Sequence, residues 1–515
     1  MQDETSSRIV PLLTFPTSTF THRSLRAAAM WVLLGLCPSV LQAQEGVKSP
    51  PPPPNPLPYD LLLAGGHVLD DKNHIDAVRD VGIKDGRIAA VEAHLDPSQA
   101  LKTIDVTGLE VTPGLIDMHV HAYAGTGERN SYAGDLSLYP DGFTLRNGVT
   151  TVVDAGSSGW RNFDDFKDRV IDRSVTRVLA ELNIVGHGMR GATYENDLTD
   201  MNGFLTSLKA KQYPGVIVGI KSAHFLGPEW YPYDQAVLAG TLANVPVMID
   251  YGANRPERPL LDLVTSHLRP GDIYTHCFSG LRGEQNHETG GPSEALLAMR
   301  RRGIYCDVGH GGGSFSWTVA EPILKSGYLP DSISTDIHVS SMNAGMKDLL
   351  NVADKMLALG ETVPQVMAEM TSHPAHEMKQ DQLGNLSVGS VADVAVFSVQ
   401  TGSFGFVDMY NTRLMGKQKL VCELTVKDGK VVYDLNGLSA DAWDAKRHTS
   451  DIRLSRHWTT SNQRPMPAET GQKYPASAPA PESTSPTPKS TPPTGSKYPS
   501  FTPAPEAPGT APKPH

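Results

Sequence analysis

The chain has 515 residues, more than one hydrophobic core serves, so at least two structural units are expected and a lone small domain is excluded. Apolar residues make up 39% before the 47 glycines are counted, which is ample for a large globular body. A formal net charge of −11 has the wrong sign for neutralising phosphates, so nucleic acid is not an expected partner.

At the N-terminus His22, Arg23 and Arg26 precede the apolar run 27–36 (AAAMWVLLGL), followed by Leu41-Gln42-Ala43. This reads as a secretory signal peptide over 1–43, cleaved after Ala43, and hence an exported, periplasmic or secreted protein. The protein is cytoplasmic if that segment is not a signal. The run falls short of the roughly 20 residues a membrane span needs, so none is expected. Residues 44–58 form a proline-rich linker, with seven prolines between 50 and 58.

From Tyr59 the sequence alternates strand-like runs with turns, among them Lys84-Asp85-Gly86, and the same texture returns over 381–435 with Lys427-Asp428-Gly429. Segments 59–112 and 381–435 are therefore expected to combine into one small composite β-sandwich domain. Between them, over 113–380, short apolar runs alternate with helical stretches: 111–122, 148–155, 177–186, 215–224, 245–252, 272–280, 303–309 and 332–338. Eight strands buried on both faces and joined by helices predict an α/β fold, a (β/α)8 TIM barrel. Residues 436–460 read as a C-terminal extension. Residues 461–515, with fifteen prolines, read as a disordered Pro/Ser/Thr/Ala-rich tail.

Catalytic groups of such barrels lie at the C-terminal ends of the strands. Run 1 ends with His119 and His121, run 4 with Lys221, run 5 with Asp250, run 6 with His276 and run 8 with Asp336. Side chains two apart on a strand share a face, so His119 and His121 can converge on one ion, although an HxH pair alone serves a structural role equally well. Lys221 follows the run 216–220 and would point into the barrel, where an unpaired ammonium is costly. Either it pairs with Asp250 or Asp336, or it reacts with CO₂ to give a carbamate that bridges two cations. Four scattered cysteines (Cys37, Cys277, Cys306, Cys422) exclude a cysteine zinc cluster and a disulfide scaffold, leaving His, Asp, Glu and Lys as ligands.

In the loops, His310 in Gly309-His310-Gly311-Gly312-Gly313 and Arg190 in Gly188-Met189-Arg190-Gly191 are candidate substrate contacts. His187, His224, His338 and Trp230 lie near the same rim without a forced role. The HGGG stretch resembles a lipase oxyanion motif, but the chain has no G-x-S-x-G elbow, which excludes a serine esterase. Gly186-x-Gly188-x-x-Gly191 has dinucleotide spacing but no acidic residue some 20 positions on, which argues against a nicotinamide enzyme.

The run Pro113-Gly114-Leu115-Ile116-Asp117-Met118-His119-Val120-His121 resembles the opening motif of the amidohydrolase superfamily. Gly219-Ile220-Lys221-Ser222, Thr275-His276-Cys277-Phe278, Asp307-Val308-Gly309-His310-Gly311 and Ser334-Thr335-Asp336 are similar to its dihydroorotase-like amidohydrolase/deacetylase branch, as is Gly389-Ser390-Val391-Ala392-Asp393 in the flanking β piece. The resemblance covers about 59–435. It implies two divalent metal ions, zinc by family habit with manganese as the alternative. His119 and His121 would hold one ion with Asp336, His276 the other, and a CO₂-derived carbamate on Lys221 both. Asp250 replaces the family's strand-5 histidine, a departure that puts a harder, anionic ligand at the second ion. The implied activity is hydrolysis of a C–N bond (amide, cyclic amide, imide or N-acyl group) of a small molecule, with a metal-bound hydroxide as nucleophile and Asp336 as general base and acid. The alternative is a metal-depleted, non-catalytic binding or assembly module on the same barrel. Homo-oligomerisation is left open by the sequence.

Overall fold

The computed structural model describes residues 55–252 and 254–444. The segment read as a signal peptide, most of the linker and the proline-rich tail lie outside the described residues. Contacts divide the chain into a body that ends at Asp441 and a second unit from Ala442, of which only 442–444 are described.

The body opens with β1 (Leu61–Asp70), β2 (Ile75–Lys84), β3 (Arg87–Glu92), the short β4 (Thr103–Asp105) and β5 (Glu110–Pro113). Asp85 and Gly86, which close the β2–β3 hairpin, both have positive φ (50° and 75°), the conformation a two-residue turn matched to strand twist demands. After Gly114 the chain enters a second sheet: β6 (Leu115–Val120), β7 (Val149–Gly159), β8 (Arg177–Asn183), β9 (Ile217–Ser222), β10 (Val247–Ile249), β11 (Ile273–Tyr274) and β12 (Tyr305–Cys306). These seven strands are parallel and paired in sequence order, and their residues are almost all buried, as expected of strands covered on both faces. The chain then returns to the first sheet with β13 (Val394–Val407), β14 (Arg413–Lys427) and β15 (Lys430–Asp434).

Two expectations are modified. The run 111–122 divides at Gly114, so that Glu110–Pro113 belongs to the flanking sheet and only Leu115–Val120 to the parallel one. The run 332–338 makes single parallel bridges rather than a continuous ladder, Asp307 to Ser332 on one side and Val120 to Ile337 on the other. It thus joins the two edges of the seven-stranded sheet, which is curled. The flanking segments form one continuous mixed sheet of eight strands, ordered β15-β14-β13-β5-β1-β2-β3 with β4 on β1, rather than two stacked ones. Pairing of β13 with β5, from Val394 opposite Pro113 to Phe397 opposite Glu110, stitches the two halves together. This sheet has its own apolar core, including Leu63, Val68, Val81, Ile83, Val394 and Val426, separate from that of the parallel sheet. Each such fully buried aliphatic side chain stabilises the fold by about 1.5–3 kcal/mol. Among the described residues no helix is long and apolar enough to cross a membrane.

Candidate metal and active site

The C-terminal ends of the parallel strands bring the six polar residues singled out in the sequence to one rim. His119 and His121 leave β6 with both rings on one side. The Nε2 of His121 lies 3.1 Å and that of His119 3.6 Å from Oδ1 of Asp336. Ligand atoms of these three residues lie within 4.8 Å of one another. Each ring is aimed by its other nitrogen. Nδ1 of His119 is 3.0 Å from Thr275 Oγ1, whose hydroxyl donates to Asp307, and Nδ1 of His121 is 2.9 Å from Ser157 Oγ. Burial, reinforced by the Lys221 ammonium, pushes the His119 pKa down to about 3, and burial lowers that of His121, so both imidazoles are neutral. Burial opposes ionisation of Asp336, but His119, His121 and His338 hold its carboxyl well below the usual range.

Lys221, in β9, is 0% exposed, and among the described residues no carboxylate lies within 4.0 Å of it. Its Nζ has as neighbours His119 Nε2 at 3.2 Å and Met248 Sδ at 3.2 Å. The pairing with Asp250 or Asp336 weighed above is therefore not made. A buried ammonium facing an imidazole nitrogen and a thioether is poorly matched by those neighbours, and the charged group that acts on it electrostatically from within the barrel is the buried Glu181.

The second group forms beside it. Asp250, directly after β10, has His276 Nε2 at 3.2 Å and His224 Nε2 at 3.1 Å from its Oδ2, and its Oδ1 accepts from Arg282 Nη2 at 3.3 Å. Burial would raise the Asp250 pKa, but His276 and His224 bring it well below the ordinary carboxylate value. His276 Nδ1 is bonded to the Gly309 carbonyl. His224 Nδ1 is 2.6 Å from Glu195 Oε2, and although burial opposes it, Asp250 and Glu195 draw the His224 pKa up to about 10. His276, Asp336 and His224 all have positive φ (68°, 50° and 56°), a cluster of uncommon backbone conformations of the kind found at functional sites. Donors bonded to a zinc ion at 2.0–2.1 Å stand about 3.3–3.4 Å apart in a tetrahedron. The 3.1 and 3.6 Å spacings about Asp336 match that edge within a few tenths of an ångström, so His119, His121 and Asp336 fit a divalent cation; at the second position the 3.2 Å between His276 Nε2 and Asp250 Oδ2 matches it for that pair.

The two loop candidates are otherwise engaged. His310 is fully buried and stacked on Phe315, with Nδ1 2.8 Å from the Gly311 carbonyl and Nε2 2.6 Å from Lys355 Nζ, so neither nitrogen faces a substrate. The glycine run serves a close approach instead: a Cβ on Gly311, whose φ is +53°, would stand 2.3 Å from Asp336 Oδ2. Arg190 pairs with Glu128 at 2.8 Å and lies over the Tyr194 ring. Tyr132, which sequence reasoning missed, stands in the middle of the rim, its ring centroid 4.2, 5.1 and 6.1 Å from those of His121, His338 and His224. Burial and the nearby Asp336, Asp250 and Glu195 raise its pKa, so it is a neutral hydroxyl. It lies in the long segment after β6, where no periodicity marks it. Arg282 was missed for the same reason.

This geometry has relatives. No family model matches the chain. A deacetylase of Brucella anthropi is 34% identical over 339 residues, which cover 63% of this chain and 81% of that protein. Crystal structures of an adenine deaminase and of a dihydroorotase superpose with TM-scores of 0.67 and 0.64, each at 29% identity, covering 73% of this chain and 100% and 99% of theirs. The chain belongs to the amidohydrolase superfamily. This amidohydrolase is accordingly an enzyme, a hydrolase of carbon–nitrogen bonds other than peptide bonds. Asp250, where the resemblance leads one to expect a histidine, has an imidazole, that of His224, 3.1 Å away.

Proposed function

We propose that this amidohydrolase cleaves an amide or N-acyl bond of a small molecule, with Asp336 moving the proton. The observation that carries the reading is the unpaired, fully buried Lys221 beside a His-His-Asp group and near an Asp-His group. His119, His121 and Asp336 would hold one divalent cation and His276 and Asp250 a second, with Lys221 as a carbamate shared by both. Zinc suits the imidazoles, while the carboxylate of Asp250 shifts the second site towards manganese. Such cations, when bound, lower the pKa of water to about 7 and polarise a carbonyl oxygen. Asp336, ionised and held by His119 and His121, accepts the proton of the attacking water and returns it to the leaving nitrogen, so the amine departs neutral. Thr275 and Ser157 fix the two rings from behind, which keeps their Nε2 atoms towards the reacting centre. Tyr132, neutral and central, is a group at the rim able to donate to a substrate oxygen. The run 332–337, bridging both edges of the parallel sheet, serves as the eighth strand of a closed barrel that holds Asp336 opposite β6.

The deacetylase relative supports N-acyl substrates, and the dihydroorotase and adenine deaminase neighbours extend the class to cyclic and amidine C–N bonds. The test is a screen of metal-loaded full chain against N-acetylated amines and amino acids, cyclic ureides and aminopurines, with Asp336→Asn as control. Turnover of an N-acyl compound, reduced by about 10²–10⁴-fold in the variant, is the expected result. Undiminished turnover in Asp336→Asn would remove the assigned role.

A further inference from the structure

We propose that Asp307 is a positioning residue of the reaction: through the Thr275 hydroxyl it fixes which nitrogen of the His119 ring carries the proton, and so keeps the Nε2 lone pair on the cation side. The proposal rests on the reading of His119 as a cation ligand above and adds to it a carboxylate that stands behind the ligand.

Three observations carry it. First, the hydrogen bonds from Lys221 through His119 and Thr275 to Asp307 can run in one direction only. Thr275 has a single hydroxyl proton, and it goes to Asp307 Oδ2 at 2.6 Å. Its oxygen, 3.0 Å from His119 Nδ1, is then left to accept, so Nδ1 carries the ring proton. The other side of the ring gives the same answer independently. Nε2 faces the Lys221 ammonium at 3.2 Å, a group that can only donate, so Nε2 is the bare nitrogen. The lone pair that meets the ammonium is the one a cation takes when it binds.

Second, Asp307 is placed to impose that direction. It is 0% exposed, and among the described residues no lysine or arginine lies within 4.0 Å of it; the ionisable nitrogen beside it is His119 Nδ1, 3.8 Å from Oδ2. It collects hydroxyls instead: Ser334 donates to Oδ2 at 2.7 Å and Ser332 to Oδ1 at 3.3 Å, in addition to Thr275. A buried carboxylate bonded to hydroxyls and paired with no cation is a costly way to fill a core, and what it holds here is the back of a ligand. Third, the backbone gives way to this contact. Gly309 has φ +47°, and a Cβ there would stand 2.2 Å from Thr275 Oγ1 and 3.2 Å from Asp307 Oδ2, so glycine leaves the room that the pair needs.

The competing account is that Asp307 merely cross-links Thr275, Ser332 and Ser334. Asp307→Asn separates the two, because an amide of the same shape keeps the cross-links but can donate to Thr275, which frees the Thr275 proton for His119 Nδ1 and moves the ring proton to Nε2. The ring nitrogens of His119 are read by ¹⁵N NMR of metal-free, full-length protein labelled at histidine, assigned by their loss in His119→Gln, and zinc affinity is read by chelator competition. A proton on Nδ1 is expected in the native protein and on Nε2 in Asp307→Asn, with zinc bound about 10–100-fold more weakly by the variant. Thr275→Val, which removes the relay, should weaken zinc binding as much, and Thr275→Ser, which keeps it, should not; this pair decides the matter if Asp307→Asn does not fold. A native ring protonated on Nε2, an Asp307→Asn variant that keeps the native tautomer or the native affinity, or full affinity in Thr275→Val would each overturn the proposal. A native protein that takes up no zinc would overturn the reading of His119 as a ligand, whereas the tautomer, read without metal, judges Asp307 by itself.

Discussion

Lys221 concentrates the chemistry of the site in one residue. A buried ammonium with no carboxylate within 4.0 Å costs several kcal/mol, and a fold without use for it gains by replacing it with an apolar group. Lys221→Met, similar in length and apolar, is therefore expected to melt at or above the metal-free native protein while losing bound metal and turnover. Lower melting of metal-free Lys221→Met, by calorimetry, would mean that the lysine is structural. Lys221 was legible in the sequence because it ends an apolar run, and His119 and His121 because a strand repeats every two residues. The partners that decide their chemistry were not. Thr275 meets His119 from 156 residues away, and Glu195 meets His224 across 29, distances over which a single sequence carries no register. The surroundings of His310 were likewise beyond the sequence: the glycines beside it signal a close approach, and the atom approached is Asp336 Oδ2, next to Gly311.

At the scale of an element, the helix Leu349–Leu359 shows how adjacent charges come to lie in opposite environments. It is capped by Asp348, which accepts from Asn351 N at 2.9 Å, and ends at Gly360 with φ +110°. Neighbours in a helix do not face each other. Asp354 turns to β14, accepting from Leu420 N at 2.8 Å, and Lys355 turns inward to the Gly345 carbonyl and His310. Burial raises the Asp354 pKa to about 7 and pushes that of Lys355 down to about 7. The folded chain thus keeps the Asp354 proton between about pH 4 and 7 where the unfolded chain releases it, and stability falls as pH rises through that window. For Lys355 the unfolded chain holds the extra proton between about pH 7 and 10, so its contribution rises with pH there. The stability difference of Asp354→Asn from the native protein should shift in the variant's favour from pH 4 to 7. That of Lys355→Met should shift in favour of the native protein from pH 7 to 10. Urea midpoints across both ranges check the pair, and differences independent of pH would contradict the assigned protonation.

For the whole molecule, the coupling of the two sheets is the main architectural fact. Arg177, at the start of β8, reaches Asp393 at 2.5 Å and Asp428 at 3.4 Å, and the same Asp393 accepts from the Asp428 backbone at 2.9 Å. Asp393 is buried, so Asp393→Ala takes an acceptor from the Asp428 N–H and from the buried Lys427 ammonium 3.4 Å away, and leaves Arg177 with Thr151 and Asp428 alone. A loss of about 1–3 kcal/mol is expected, read as a lower urea midpoint with a single transition. Both Lys-Asp-Gly turns and the alternation of β and β/α texture were legible, because turn chemistry and burial on both faces are local signals. The single continuous mixed sheet was not, since the pairing of β13 with β5 joins segments nearly 300 residues apart.

All three scales lead to one claim, that this barrel holds divalent cations around Lys221 and hydrolyses a C–N bond with them. Metal analysis of the full chain, expressed in zinc-supplemented medium and assayed before and after chelation, tests it most directly. About two ions per chain are expected, with turnover lost on chelation and restored by Zn²⁺ or Mn²⁺ in bicarbonate. A chain that carries no ion, or that turns over its substrate equally well once stripped, would contradict the account.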